Sequence, residues 1–431
     1  MDSWRKTLKI FWHSDGCKVN LADLESMLQG LPPGAWQVCD RLEEADVALL
    51  NTCTVTHKAD ADWRKMLSGW RRRRPTLPVV VSGCATVFQA ERIATFPNVR
   101  AVVRPGDGQA LREFLCSMLA GSAEPVLGSV SHGLGRHRAL VKIQDGCQSR
   151  CSYCLVSLVR GEERSLDEEQ VVEAVRCKLQ AGYREVVLCG INLGRYGRDR
   201  RSSLARVLIE LKKLQQAYGH WRLRLSSIEP MEWSAQLIEA IGECDFVCRH
   251  FHVPVQSGDD GVLGLMRRPY RALQARKVLE ELRAAFPQAA LGSDLLVGFP
   301  GEDRAAFENT LDFARLSPLD YLHVFAFSPR PGTEAEKLSG RVPAAEVRGR
   351  VAELRALGGE KWRRFLLAGV GMRHLVLAEK CQYGKAEGRS EHYRRVVFRG
   401  ERLEAGAMYE VYGEKVAGDT LLGRAIDGRC R

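Results

Sequence analysis

Residues 139–154 have the sequence ALVKIQDGCQSRCSYC, in which an apolar segment runs directly into three closely spaced cysteines. Ala139–Gln144 is rich in aliphatic residues and predicts a strand. Cys147, Cys151 and Cys154 follow it with the spacing C-x3-C-x2-C. Three thiolates in one short loop can hold three irons of a [4Fe–4S] cluster, since cysteine thiolates bind such clusters. No fourth cysteine is near, so one iron would stay open to a substrate or cofactor.

A zinc knuckle is the alternative interpretation of this loop. Zinc sites of that kind normally have four protein ligands. His132 and His137 are the nearest candidates for a fourth ligand, and neither has a usual spacing. The iron–sulfur interpretation is therefore favoured.

The segment around this loop alternates predicted strands with predicted helices. A strand–helix alternation of this length predicts a partial or complete β/α barrel, with the chemistry at the carboxyl ends of the strands. Asp167 and Gln170 have the spacing of a capping box at the start of the first long helix. The predicted strands are Ala139–Gln144, Glu185–Cys189, Arg222–Ser226, His250–Val255, Gly292–Val297 and Tyr321–Phe327, and the helices are Asp167–Ala181, Leu204–Tyr218, Ser234–Gly242, Arg271–Phe286 and Arg304–Leu316.

Three further cysteines occur in the preceding segment, each just after a predicted strand. The strands are Lys6–Trp12, Asp46–Asn51, Pro78–Ser82 and Val99–Val103, and the cysteines are Cys17, Cys53 and Cys84. The carboxyl ends of parallel strands lie at one edge of a sheet, where ligands bind. A shared metal site is one interpretation; three unrelated buried cysteines are the other, because free cysteine is often buried.

Composition narrows the class of protein. The chain has 431 residues, which predicts about three domains. Its net charge is +11, which fits an RNA-binding surface as well as a basic enzyme without a nucleic-acid partner. Fourteen cysteines without a secretory signal indicate metal or redox chemistry in a reducing, cytoplasmic setting. No apolar run reaches the ~18 residues of a membrane span.

The chain divides into three predicted domains. Residues 1–120 form a doubly wound α/β domain, and Ala120–Gly135 is a Gly/Ser-rich linker. Residues 136–369 form the barrel and end in a long helix, Pro343–Leu367. Residues 370–431 contain short strands and turns and predict a small β-barrel.

The cysteine loop, with Tyr153 before its last cysteine, resembles that of the radical S-adenosylmethionine enzymes. GCKVN, NTCTVT and SGCA around the three earlier cysteines resemble the amino-terminal domain of the methylthiotransferases within that group. The resemblance continues through VLCGINLGRYG, RLSSIEP, HFHVPVQSGDDGVLGLMRRPY, SDLLVGFPGED and FAFSPRPGTEA. The small terminal barrel resembles a TRAM domain, which binds RNA.

This resemblance implies two [4Fe–4S] clusters and S-adenosylmethionine as cofactors. The loop cluster would bind S-adenosylmethionine and generate a 5′-deoxyadenosyl radical, and an auxiliary cluster on Cys17, Cys53 and Cys84 would take part in sulfur insertion. The nearest branch acts on carbon 2 of N6-threonylcarbamoyladenosine beside the anticodon of tRNA. Alternatives are isopentenyladenosine, a ribosomal protein aspartate, or a non-catalytic iron–sulfur RNA-binding module. The implied partners are the tRNA anticodon stem-loop and a reductant such as a flavodoxin or ferredoxin.

The resemblance also assigns candidate contacts to S-adenosylmethionine or the substrate. These residues lie at predicted strand ends and also suit ordinary turns. They are Tyr153, Gly190, Asn192, Ser227, Glu229 and Gly298. The chain departs from the family at Leu166, where relatives often have Arg, which affects substrate contacts and no cluster ligand.

Two other features keep two interpretations each, and a close cysteine pair has one. The run Arg71–Arg74 is either a solvated face or a contact to tRNA phosphates. His250 and His252 share one face of a predicted strand and lie either in the core or against the substrate. The close pair Cys244 and Cys248 is interpreted as core.

Overall fold

The computed structural model describes residues 7–29, 31, 34–119 and 137–426. These residues form two compact units. The first contains the described residues up to 119 together with Leu155–Gly161, and the second contains His137–Cys154 and the described residues from Glu162 onward. The predicted linker, His132 and Cys430 lie outside the described residues.

The first unit is built on a five-stranded parallel sheet. Its strands β1–β5 are Leu8–Ser14, Trp36–Val38, Val47–Thr52, Val79–Gly83 and Val99–Val103. Their order in the sheet is β2-β1-β3-β4-β5, a doubly wound order with its switch point between β1 and β3. The four predicted strands are confirmed, and the three-residue β2 was missed. Helices α1–α5 are Lys18–Gln29, His57–Arg73, Ala85–Ala94, Gly108–Leu119 and Val156–Arg160.

The central strands of this sheet explain its stability. Every residue of β3 and β4 is buried, as expected of parallel strands covered on both faces. Trp63, Leu67 and Trp70 of α2 pack against them. The carboxyl ends of β3 and β4 are therefore supported by a well-packed core.

The second unit contains the predicted β/α barrel strands, arranged in two sheets. Strands β6–β12 are Arg138–Asp145, Arg164–Ser165, Glu185–Gly190, Arg222–Leu225, His250–His252, Ala290–Val297 and Tyr321–Ala326. The sheets are β7-β6-β8-β9 and β10-β11-β12, and every pair is parallel except β6 with the short β7. Helices α6–α11 are Glu168–Gln180, Leu204–Tyr218, Ala235–Gly242, Asp260–Leu265, Ala272–Ala285 and Arg304–Leu316. Apolar residues of these helices form a large core with β6, β8, β9 and β10, and α11 also packs in a second cluster with β11 and β12.

Two details of the barrel bear on the sequence predictions. The capping box of Asp167 and Gln170 is present. The predicted strand His250–Val255 is wrong in length, because it ends at His252. Pro254 has no N–H to continue the ladder, which explains the early end.

A long helix leads from the barrel strands to a small closed β-barrel. The helix, α12, is Ala344–Leu367. Strands β13–β17 are Arg373–Gln382, Lys385–Ser390, Arg395–Arg399, Met408–Ala417 and Thr420–Ala425, in the order β13-β14-β15-β17-β16. The predicted small β-barrel is confirmed. The sequence analysis missed β14, whose Lys, Gly and Ser residues have little strand propensity.

Buried charges join the small barrel to the amino ends of β8 and β9. Glu185 is fully buried and accepts hydrogen bonds from Arg222 (Nε–Oε2 2.6 Å) and Arg224 (Nε–Oε1 2.8 Å). The same arginines donate to the carbonyls of Arg389 (2.8 Å) and Ser390 (3.0 Å) in the small barrel. Burial raises the pKa of the Glu185 carboxyl, but the two guanidiniums outweigh it and hold that pKa well below its usual range. The small barrel thus packs at the strand ends opposite to those expected to carry chemistry.

No helix within the described ranges is long and apolar enough to cross a bilayer.

Two candidate cysteine sites

The three cysteines of the first unit emerge at one edge of its sheet. Strands β1, β3 and β4 are in register up to their last residues. Cys53 and Cys84 come directly after β3 and β4, and Cys17 comes three residues after β1. β1 and β3 flank the switch point of the sheet, which is where ligands bind in folds of this order. The structure therefore places the three at one edge of the sheet, as the topological argument predicted; a shared metal there stays a prediction.

The electrostatics of these thiols indicate the same proximity. Burial raises the pKa of Cys84 to about 11, the charge of Arg160 opposes this, and Cys17 and Cys53 raise the pKa further. Burial also raises the pKa of Cys53, with Cys17 again contributing. Without a metal, Cys84 is protonated at neutral pH. Metal binding must therefore displace protons from this site.

A glycine and two asparagines fix the edge that carries these cysteines. Gly83 has φ +97°, and a Cβ there would lie 2.3 Å from the carbonyl oxygen of Thr52. Asn20 donates to that same carbonyl (2.7 Å), and Asn51 donates to the carbonyl of Asn20 (2.9 Å). The Oδ1 atom of Asn51 is buried without a hydrogen-bond partner among the described residues. An unpartnered polar atom at this edge fits a site that receives a polar or metallic group.

Arg160 is a further member of this site that the sequence analysis missed. It ends α5, and only 3% of its side chain is exposed. Its guanidinium pairs with the Asp23 carboxylate and lies 3.4 Å from Asn20 Oδ1 and 3.7 Å from Cys84 Sγ. Arg160 is distant in sequence from all three partners, so no local pattern could have identified it.

The second set of cysteines lies in the loop after β6. All three are partly buried and form no disulfide. Ser152, between two of them, holds the loop in place: its N–H donates to the carbonyl of Met266 (3.1 Å), and its own carbonyl accepts from the N–H of Ala335 (2.8 Å). The thiols are thus fixed by backbone contacts to distant parts of the second unit.

A buried arginine also reaches this second set. Arg268 Nη1 lies 3.2 Å from Cys151 Sγ, and only 4% of the Arg268 side chain is exposed. Its guanidinium pairs with the carboxylate of Glu229, a predicted site residue, and its Nε donates to the Tyr270 hydroxyl (2.8 Å). Arg268 lies in the segment HFHVPVQSGDDGVLGLMRRPY, in which no local pattern indicates a role for it.

Two predicted contact residues, Gly190 and Asn192, lie at the carboxyl end of β8, which pairs with β6, the strand before the cysteine loop. A Cβ on Gly190 would lie 2.9 Å from the Gln144 side chain, so only glycine fits there. Gln144 Oε1 accepts from the backbone N–H of Asn192 (2.8 Å). Asn192 is buried, and its Oδ1 atom has no hydrogen-bond partner among the described residues. A buried acceptor of this kind fits an ammonium donor such as that of a bound amino acid moiety.

The remaining predicted contact residues, Tyr153, Gly298 and Ser227, have different surroundings in the structure. The Tyr153 ring packs edge-on against Phe299 (6.3 Å between centroids). Gly298 has φ +78°, and its N–H donates to Glu302 Oε1 (2.9 Å). The Ser227 hydroxyl is half-buried and makes no hydrogen bond within the described part of the chain. None of these contacts joins Ser227 or Gly298 directly to the cysteine loop.

A polar cluster lines the inner face of β10–β12. Leu322 and Val324 pack outward against the helices, so Tyr321 and His323 face inward. Asp294 Oδ1 lies 2.9 Å from His252 Nε2 and 3.3 Å from His323 Nδ1. Burial raises the pKa of Asp294, but the two imidazoles outweigh it and hold that pKa well below its usual range.

The two histidines of β10, His250 and His252, have different neighbours. His250 and His252 are both buried and both contact the Tyr321 hydroxyl (2.8 and 3.1 Å). His252 also reaches the Asp294 cluster, whereas His250 stacks on Tyr393 of the small barrel (4.1 Å between centroids). His323 is 51% exposed and is the open member of the cluster.

The other features left open by the sequence are located as follows. Cys244 and Cys248 are buried. In the arginine run, Arg73 and Arg74 bind the Glu43 side chain and backbone, whereas Arg71 and Arg72 are exposed. A tRNA contact at this run stays a prediction.

Comparison with known families gives two matches along the chain. Residues 141–314 match the radical SAM superfamily, and residues 9–104 match the uncharacterized protein family UPF0004. The first match covers the cysteine loop and the barrel strands up to β11, and the second covers the sheet that carries the earlier cysteines.

Curated relatives match nearly the whole chain. The threonylcarbamoyladenosine tRNA methylthiotransferase MtaB of Thermotoga maritima is 31% identical, with 92% of each chain covered. The tRNA-2-methylthio-N(6)-dimethylallyladenosine synthase of Moorella thermoacetica is 32% identical, with 98% of this chain and 99% of the relative covered. Overall identity therefore does not separate these two types of relative.

A solved structure shares the fold at low identity. The radical S-adenosylmethionine methyltransferase TsrM from Kitasatospora setae, with cobalamin and a [4Fe–4S] cluster bound, has a TM-score of 0.57 and 12% identity, covering 82% of this chain and 91% of its own.

Proposed function

Because this chain belongs to the radical S-adenosylmethionine tRNA methylthiotransferase family, we propose that its substrate is N6-threonylcarbamoyladenosine beside the tRNA anticodon, modified at carbon 2. The enzyme is a transferase whose cofactors are S-adenosylmethionine and two [4Fe–4S] clusters. When bound, these cofactors supply a radical that takes hydrogen from carbon 2 and a site that delivers the methylthio group.

The chain's own residues divide between the two cofactor sites. In this proposal Cys147, Cys151 and Cys154 hold the cluster that binds S-adenosylmethionine. The fit rests on three thiols fixed in one short loop beside a buried acceptor on Asn192. Asn192 then orients the methionine part, and Gly190 leaves room for the Gln144 side chain that accepts from the Asn192 N–H.

Other residues around the loop orient the cofactor further. Tyr153 and Gly298 flank the adenine, and Ser227 and Glu229 approach the ribose or the substrate. Arg268 fixes the Glu229 carboxylate, so that group has one orientation. Excluding water and fixing orientation are the protein's main tasks in chemistry carried by a cofactor.

The auxiliary site is assigned to Cys17, Cys53 and Cys84. Their shared sheet edge and mutual electrostatic influence support one cluster rather than three unrelated thiols. We assign the domains as residues 1–120 for this cluster, 136–369 for the radical chemistry and 370–431 for RNA binding.

The Asp294 cluster is the observation that favours the threonylcarbamoyl substrate. That side chain carries a carboxylate, a hydroxyl and a urea group, whereas the dimethylallyl group is apolar. Half-exposed His323, hydrogen-bonded to the charged Asp294, gives the inner barrel wall polar donors and acceptors. Burying these groups against an apolar substituent would leave them unsatisfied, at a cost of about 1–3 kcal/mol each.

Two partners follow from this proposal. The anticodon stem-loop is the RNA partner, and the net charge of +11 favours its phosphates. A flavodoxin or ferredoxin is the proposed electron donor.

Nucleoside mass spectrometry tests the substrate. Reconstituted enzyme is incubated anaerobically with S-adenosylmethionine, a reductant, and anticodon stem-loops carrying either threonylcarbamoyladenosine or dimethylallyladenosine. We expect the 2-methylthio product only from the first RNA. Product only from the second would reject this substrate and assign the chain to the other type of relative.

A further inference from the structure

We propose that Arg160 is a positioning residue of the auxiliary site, and that its guanidinium on Cys84 makes a cluster bound there easier to reduce. This inference rests on the proposed assignment of Cys84 as a cluster ligand. It goes beyond that assignment because it gives a role to a residue that is not a ligand.

The position of Arg160 is unusual for a structural ion pair. Its guanidinium is almost completely removed from water, and its contacts include the Asp23 carboxylate and Cys84 Sγ (3.7 Å). Burying a cation costs several kcal/mol unless it is well compensated. A neutral thiol is a weak acceptor, whereas a cluster-bound thiolate is a strong one. The arrangement is therefore better satisfied with a cluster bound than without one.

The electrostatic consequence follows from charge. Three thiolates make a bound [4Fe–4S] cluster net anionic, and reduction adds one electron taken from an external donor. A fixed cation and an N–H···S hydrogen bond stabilise the added charge, and hydrogen bonds to sulfur and net charge are established determinants of cluster potential. Removing Arg160 should therefore shift the potential of this cluster to more negative values.

The experiment uses the full chain with Cys147, Cys151 and Cys154 changed to alanine, so that one cluster remains. Redox titration followed by electron paramagnetic resonance gives its midpoint potential. On this background Arg160→Gln removes the charge, and Arg160→Lys retains it. Arg92→Gln, an exposed arginine on α3, is the matched control. We expect the potentials to fall in the order parent, Lys variant, Gln variant, with the control equal to the parent.

Asp23 requires a second comparison, since removing Arg160 alone leaves its carboxylate buried. If Arg160→Gln gives no folded protein, Asp23→Asn is compared with the Asp23→Asn/Arg160→Gln double variant, so that only the arginine differs. Equal potentials and equal resonance spectra in either comparison overturn the inference. Absence of any cluster in the parent background would instead reject Cys17, Cys53 and Cys84 as a cluster site, which is a failure of the proposed function.

Discussion

The two cysteine sets are built differently and yet end in similar surroundings. One lies within a single loop of the second unit, and the other comes from three loops at the edge of the first unit's sheet. In each set one cysteine contacts a buried arginine that is paired with a carboxylate: Cys151 with Arg268, and Cys84 with Arg160. The contiguous set lies in one loop that backbone contacts to Met266 and Ala335 hold in place, whereas the dispersed set depends on the register of three strands.

The largest expected effect comes from removing one cysteine of the contiguous set, Cys147, Cys151 and Cys154. Cys151→Ala should abolish 5′-deoxyadenosine formation, because the cluster would lose one of its three thiolates. Chromatography of reaction mixtures containing S-adenosylmethionine and dithionite measures the product. Cys177→Ala, an exposed cysteine on α6, is the control and should retain full activity. Retained cleavage in Cys151→Ala would contradict the radical assignment.

Removing the dispersed set should separate cleavage of S-adenosylmethionine from methylthiolation of tRNA. Changing Cys17, Cys53 and Cys84 together to alanine should leave about half the iron and retain cleavage of S-adenosylmethionine, with no methylthiolated tRNA. Iron analysis, cleavage and nucleoside mass spectrometry are measured on the same preparation. Full methylthiolation would mean that these cysteines are only structural.

Replacing Arg268 tests whether the buried arginine beside Cys151 contributes to reductive cleavage. Arg268→Gln should lower reductive cleavage by about 10–100-fold, the range found when a group behind a metal ligand is removed. Arg267→Gln is the matched control, because the neighbouring side chain is exposed and its ion pair is with the exposed Glu334. Equal loss in both variants would point to a general effect of the segment.

Replacing His323 tests a residue that contacts Asp294 rather than either of the cysteine sets. His323→Leu should reduce methylthiolation of threonylcarbamoyladenosine by about tenfold, since loss of one hydrogen bond to a polar substrate costs ~1.5 kcal/mol. Cleavage of S-adenosylmethionine without RNA should be unchanged. An equal loss of cleavage would place His323 in the cofactor site instead.

The smallest effect should come from a change at the start of α6, a helix that carries none of the six proposed cluster ligands. Asp167→Ala removes the capping box of α6 and should lower the free energy of unfolding by about 1 kcal/mol. Urea denaturation measures this, and iron content should stay the same. A loss of iron would show that cluster binding depends on the overall stability of the protein.

Sequence reasoning succeeded where a pattern is local. The spacing of the loop cysteines and the alternation of long strands and helices gave the fold and the contiguous set. It failed for short elements such as β2, β7, α5 and α9, which contain too few residues for a periodicity to appear. Arg160 and Arg268 were missed because their partners are far apart in sequence, and only folding brings a guanidinium to a particular sulfur.

The segment Leu155–Gly161 has a consequence for how the chain can be divided. It belongs to the first unit, although the residues on both sides of it belong to the second. A fragment ending anywhere between residues 119 and 137 would therefore lack α5 and the arginine beside Cys84. The first unit is not a cassette that a single crossover can exchange between relatives: a transplant must carry a second piece of sequence, or the recipient must already contain a matching one.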